Sequence, residues 1–231
     1  AKKMFYEYGY KNATIEKRIP DSTLENPNSV YDYVVSTPPF GLRIPNSEYR
    51  TADIHYLTHS SRITRNKSVG IYPASICYNS HSSNRQVLSE LVEEDILDTI
   101  ILLPTNIFSN TSIETVIIVV NKNKEHTETV RIIDASDCYI SEGRHNILAL
   151  EKVVDKLYSI NNQAGVYMVS LDEIRKNDYK VYPKFYCSLD EVIFPDGYIV
   201  TELGDVIEPG PSTRRYSETS GHLAKISELS S

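Results

Sequence analysis

Tryptophan is absent from these 231 residues, and cysteine is nearly so. Cys77, Cys138 and Cys187 stand far apart with no metal-ligand pairing, a usage that fits reduced thiols in a cytoplasmic protein. The six histidines show no ligand spacing either, so no metal site is expected. Long apolar runs are also missing: none approaches the roughly 18 residues that a membrane span needs. The opening AKKMFYEYGY lacks the apolar centre of a signal peptide, and no membrane partner is expected. Glycine is scarce, at 9 residues, and no glycine-rich turn precedes Asp21. No internal repeat or low-complexity tract interrupts the chain. The net charge of −7 argues, taken alone, against a nucleic-acid partner.

What is present is the composition of a globular chain, 40% hydrophobic and 24% charged, long enough for one large domain or somewhat more. The charge is uneven. Residues 41–90 carry Arg43, Arg50, Arg62, Arg65, Lys67 and Arg85 against Glu48, Asp53 and Glu90, a local +3. Only such a patch, not the whole protein, needs to meet phosphate.

Apolar periodicity predicts alternating strands and helices. Strands are expected over residues 12–19, 31–36 (of the buried type, with Val30, Val34 and Val35), 68–73, 99–103, 115–121 and 130–134. Helices are expected over 52–65, over 83–95 with Ser83 and Gln86 at capping-box spacing, and over 146–160. Alternation of this kind argues an α/β sheet with helices on its faces. The runs 99–103 and 115–121 have no convincing helix between them and read as an antiparallel pair at one sheet edge. After residue 161 the texture turns rich in Tyr, Pro, Gly, Asp and Ser. A boundary is expected there, with one domain over 1–165 and a second, mixed α+β or mostly β, over 166–231.

Two segments carry the chemistry. YDYVVSTPPFGLR (residues 31–43) runs an apolar strand into Pro38, Pro39 and Phe40, and neither proline can donate to a ladder. LLPTNIFSNTSIETVIIVVNKN (residues 102–123) is the late hairpin. In this order the two resemble the modification subunits of type I restriction–modification systems, which are adenine-N-6 DNA methyltransferases. The first is similar to that family's (D/N/S)PP(Y/F/W) segment. The second is similar to its LP-x-x-x-F-x-x-T-x-I-x-T pattern. AKKMFYEYGYKNATIEKRIPDSTL resembles the family segment that ends in an acidic turn at Asp21. MVSLDEIRKNDYKVYPKFY and TELGDVIEPGPSTRRY resemble the opening of a specificity-subunit target-recognition domain.

The resemblance implies a partial Rossmann-like sheet of the class I S-adenosylmethionine-dependent methyltransferases. The first strands and the glycine-rich cofactor loop would lie upstream of Ala1, making the chain a fragment. It implies S-adenosylmethionine as methyl donor, contacted by Asp21, and double-stranded DNA with specificity and restriction subunits as partners. The amine of adenine is a poor nucleophile because its lone pair is delocalised into the ring. Acceptors must therefore hold both of its hydrogens. By resemblance Pro38 offers its carbonyl, Pro39 stiffens the turn, and Phe40 stacks on a base flipped from the duplex. Thr37 stands where the family carries Asn, Asp or Ser. Its short hydroxyl is a weaker acceptor, a loss on the order of 10²–10³ in rate by analogy with oxyanion-hole deletions. Phe108 and Thr111 look like hinge and base-pocket residues, and Arg43 and Arg50 like phosphate contacts. Two other readings stay open. One is a methyltransferase fold without catalysis, kept for DNA recognition or subunit assembly. The other is a methyltransferase acting on a protein glutamine, which shares the Pro-Pro-aromatic turn.

Overall fold

The computed structural model describes residues 30–43, 49, 51–79, 81–108, 111–143, 145–159 and 165–186. The strand expected over 12–19, together with Asp21, Arg50 and Cys187, lies outside them. In chain order the elements are β1 (Tyr31–Ser36), α1 (Ala52–Ile63), β2 (Thr64–Pro73), α2 (Ser82–Glu93), β3 (Leu97–Leu102), β4 (Thr115–Asn121), β5 (Thr129–Asp134), β6 (Tyr139–Glu142), β7 (His145–Leu148), α3 (Leu150–Tyr158), β8 (Val166–Ser170) and α4 (Leu171–Lys176). Six strands form one sheet in the order β1-β2-β4-β3-β5-β8, and β6 and β7 form a separate hairpin.

The parallel pairing of β1 with β2 requires a crossover, which α1 supplies. α1 is a weak helix with small polar residues on its buried side. Thr58, Ser60 and Ser61 donate their hydroxyls back to the carbonyls of Ile54, Leu57 and Thr58, so these groups are buried without being orphaned. β4 runs antiparallel to both β2 and β3, and β3 pairs in parallel with β5.

The expected antiparallel pair therefore forms, but not at an edge: β4 is interior and β3 continues to β5 and β8. The reason is legible in TVIIVV. A strand with one wet face alternates apolar with polar residues, whereas this run is apolar at successive positions: Val116, Ile118 and Val120 are buried on one face, and Ile117 and Val119 are half-buried on the other. β1 departs in the other direction. It has no second neighbour among the described strands, and Tyr33 is 71% and Val35 81% exposed, so it is not the buried strand expected.

Alternate residues divide the sheet into two faces. Ile100, Leu102, Val116, Ile118, Val120, Val130 and Ile132 share a core with residues of α1, α2 and α4. Ile101, Ile133 and Val166 pack on the other face with Val153 of α3.

Two helix expectations change. The N-cap of α2 is His81, without a side-chain cap bond, and Gln86 donates instead to Glu90, so the capping box at Ser83 does not form. α3 is shorter than 146–160, because His145–Leu148 pairs with Tyr139–Glu142 as a hairpin turning at Gly143, whose φ is +62°.

The expected boundary between 165 and 166 cuts through the sheet. β8 pairs antiparallel with β5. Beyond it, Val181 donates its amide to the Cys77 carbonyl, and Arg175 and Tyr179 both reach Glu93 on α2. By contacts the chain divides into Ala1–Leu189 and Asp190–Ser231.

Candidate functional site at the carboxyl edge of the sheet

β1, β2 and β3 run in parallel, so their carboxyl ends lie along one sheet edge, where open α/β sheets take their ligands. β1 ends at Ser36 and the next residues are Thr37, Pro38, Pro39 and Phe40. Two successive prolines fix φ and withdraw both amides from any ladder, so the strand must stop and turn. Pro38 is buried; Thr37 and Pro39 are exposed; Phe40 is half-buried. The turn closes at Gly41, whose φ of +67° lies in the region that favours glycine.

β3 reaches the same edge and ends at Leu102, two residues before Pro104. The loop back to β4 carries Phe108. Its ring meets Phe40 edge-on, with centroids 5.5 Å apart at 83°. This T-shaped geometry sets a positive ring edge against a negative ring face. The loop is held at both ends. Leu103 donates to the Thr115 carbonyl, and the Asn146 side chain reaches the Thr105 carbonyl. Thr111 is half-buried and spends its hydroxyl on a local turn, accepting from the Ile113 amide at 3.1 Å. Phe40 and Phe108, 68 residues apart by their numbers, are thus brought together, while Thr111 serves its own loop.

The corner is tied to α1 by two bonds. The Ala52 amide donates to the Leu42 carbonyl at 2.6 Å. The Gly41 amide lies 3.3 and 3.4 Å from the two carboxylate oxygens of Asp53. Asp53 is only 6% exposed. Burial pushes its carboxyl above the ordinary range, opposed by the Gly41 amide, its own amide and the Thr51 hydroxyl. In the sequence Asp53 stands out only as one of three acids among residues 41–90. The one available signal was an acid in the first turn of a helix. Tyr72 of β2 lies under the same region, fully buried, its ring folded over Gly70. Burial raises its phenol, with the Ser60 and Ser36 hydroxyls acting the other way.

The described cations of residues 41–90 are spread over both edges of the sheet. Arg43 is exposed beside the corner. Arg65 pairs with Asp32 and Arg85 with Asp178, and Lys67 lies at the opposite, amino edge of β2. Among the described residues no three His, Cys, Asp or Glu side chains are grouped to hold a metal ion, and no helix is long and apolar enough to cross a membrane.

Residues 8–192 match the family model described as N-6 DNA Methylase. The methylase subunit of the type I restriction enzyme MpnII from Mycoplasma pneumoniae is 26% identical over 192 residues, covering 73% of this chain and 34% of that protein. The corresponding MjaVII subunit from Methanocaldococcus jannaschii is 29% identical over 213 residues, covering 78% of this chain and 37% of that protein. The crystal structure of a type I restriction–modification methyltransferase subunit from Streptococcus thermophilus superposes with a TM-score of 0.65 at 25% identity, over 71% of this chain and 40% of that one. The chain thus spans about a third of the length of the curated relatives it matches.

Proposed function

The chain belongs to the N-6 DNA methylase family, and from that premise we propose that residues 37–40, with Phe108, are the adenine-holding part of a DNA adenine-N-6 methyltransferase of the type I restriction–modification kind. The observation that carries this is the meeting of Phe40 and Phe108 beside the Pro38-Pro39 turn at the sheet's carboxyl edge. Pro38 offers its backbone carbonyl to one amine hydrogen, and its buried ring keeps that carbonyl from wandering. The Thr37 hydroxyl is the second acceptor. Phe40 stacks on the flipped base, and Phe108 buttresses Phe40 from the side. Arg43 and Arg50 meet phosphate, and Thr111 shapes the loop over the base.

S-adenosylmethionine supplies the electrophilic methyl group when bound. The described residues fit the adenine side of the reaction: an acceptor corner and two rings at one edge. Asp21 is the proposed contact to the adenosine part of the donor. The partners proposed are double-stranded DNA and specificity and restriction subunits, in the cytoplasm. The tail containing TELGDVIEPGPSTRRY is read as the start of a target-recognition segment.

Methylation of DNA by the protein as its gene encodes it tests the assignment. Phe40→Ala should lower the rate roughly 10- to 100-fold, the worth of one stacked base. An unchanged rate would sink the proposal. Thr37 favours a second reading, a methyltransferase fold that has lost its acceptor. Thr37→Asn decides between them: a gain of up to about 10²-fold supports loss, and equal activity shows that threonine suffices.

A further inference from the structure

We propose that Asp53 is a positioning residue for the base-holding corner, its buried carboxylate gripping the Gly41 amide and so fixing the turn that presents Phe40. This rests on the adenine reading of residues 37–40.

The geometry is reciprocal. Asp53 accepts from the Gly41 amide through its side chain, while its neighbour Ala52 donates its own amide to the Leu42 carbonyl. Two adjacent residues of the turn are thereby fastened to two adjacent residues in the first turn of α1. The Ala52 amide is one of the four that a helix start leaves without an internal partner, so the turn also completes the helix.

Burial is the second observation. An acid in a first helical turn serves the helix dipole equally well from the surface. At 6% exposure Asp53 has given up its hydration, which is costly unless the carboxylate is used. No Lys or Arg pairs with it among the described residues. The groups that face it are the amides of Gly41 and Asp53 and the Thr51 hydroxyl.

The third observation is where the grip falls. Gly41 directly follows Phe40 and sits at φ +67°, a conformation that glycine leaves as easily as it enters. Pro38 and Pro39 stiffen the approach to Phe40 from the β1 side, but nothing in their rings restrains the exit. Asp53 restrains the exit. The backbone that carries Phe40 is then held on both sides before any base arrives, so less ordering is left for the moment of binding.

The test uses Asp53→Ala and Asp53→Asn in the protein as its gene encodes it, with two readouts. The first is hydrogen exchange at the Gly41 amide, expected to speed by about tenfold or more in Asp53→Ala while the amides of β2 and β4 stay protected. The second is DNA methylation. The single-turnover rate should fall on the order of 10²-fold, as for a small misplacement of a catalytic group, with KM for DNA unchanged. Asn keeps an acceptor oxygen and the shape, and should restore an intermediate rate. It also decides the matter if the alanine variant does not fold. Unchanged Gly41 exchange in both variants would overturn the proposal, as would full methylation by a variant whose Gly41 has been freed. Absence of methylation in the unaltered protein would overturn the adenine reading and this role together. Methylation at the unaltered rate in Asp53→Ala overturns the role alone.

Discussion

The two faces of the sheet are made by the same strands and finished differently. On one, Ile100, Ile118 and Ile132 line up across β3, β4 and β5 and are closed over by α1, α2 and α4. On the other, a single helix, α3, covers β3, β5 and β8, and Val153 is its only fully buried residue. Where α3 stops, Lys67, Thr99, Asn121, Arg131 and Met168 line a cleft of about 320 Å³. Beyond it, over β1, Tyr33 and Val35 are exposed. The candidate corner projects from the end of β1 and takes its support from the closed face, through Asp53 and Ala52 of α1. Its rigidity is therefore set by the well-packed layer.

The sharpest way to break this comparison uses neighbours of one type on β4. Ile118 is 1% exposed on the closed face, and Ile117, the residue before it, is half-buried on the other. Ile118→Ala should cost about 4 kcal/mol and Ile117→Ala about 2 kcal/mol, since the cost follows the contacts and cavity left behind. Urea unfolding of the two variants checks it, and equal losses would show that the faces are equally packed.

Next in size is the fastening that both faces share. Lys124, its side chain 2% exposed, sits at the amino edge and donates to the Asp95 carboxylate and to the carbonyls of Leu97 and Thr129, binding β3 to β5. Lys124→Met should cost about 3 kcal/mol, because it leaves a carboxylate and two carbonyls without their donor. Burial acts to raise the Asp95 carboxyl, but the Lys124 hydrogen bond, the Glu128 amide and the charges of Lys124 and Arg175 outweigh it and hold the group below its ordinary range. An acid held low in the folded state contributes stability above its unfolded pKa of about 3.9, and the contribution is lost as pH falls through the lower folded value. The gap between wild type and Lys124→Met should therefore narrow as pH drops from about 5 towards 2. A constant gap would mean that the charge on Asp95 is not what Lys124 holds.

Much of this architecture was legible in the residues, and what was not has physical reasons. The runs TVIIVV and TIIL announced strands because β-branched residues at successive positions suit a sheet covered on both sides. That same feature marks β4 as an interior strand, a stronger signal than its closeness in the chain to β3. The helix expected over 146–160 ran too far because Ile147 and Leu150 fit a helical stripe, yet Ile147 belongs to a hairpin and both are exposed. The segment 166–186 read as a separate domain by its polar texture. Its docking depends on distant partners, Arg175 and Tyr179 on Glu93 and Tyr182 on Glu114, which no local pattern reveals. The corner itself was visible in Pro38-Pro39-Phe40. Its contact with Phe108 and its anchor at Asp53 exist only once the chain is folded.

The smallest expected effect tests the open face most directly. Tyr33 and Val35 point from β1 to the same side as Lys67 and Val69, their partners on β2. At 71% and 81% exposure they have little packing to lose. Tyr33→Ser and Val35→Ser should each change stability by less than about 0.5 kcal/mol, apart from a small loss of strand propensity. Apolar residues so placed on a strand that is outermost among the described ones leave a surface that invites another strand or partner. A serine at either position should therefore leave the melting temperature alone while reducing association at high concentration, seen as a lower apparent mass in sedimentation. If either substitution instead costs about 2 kcal/mol, the value for a buried valine, the face over β1 is covered in solution and the contrast between the two faces disappears.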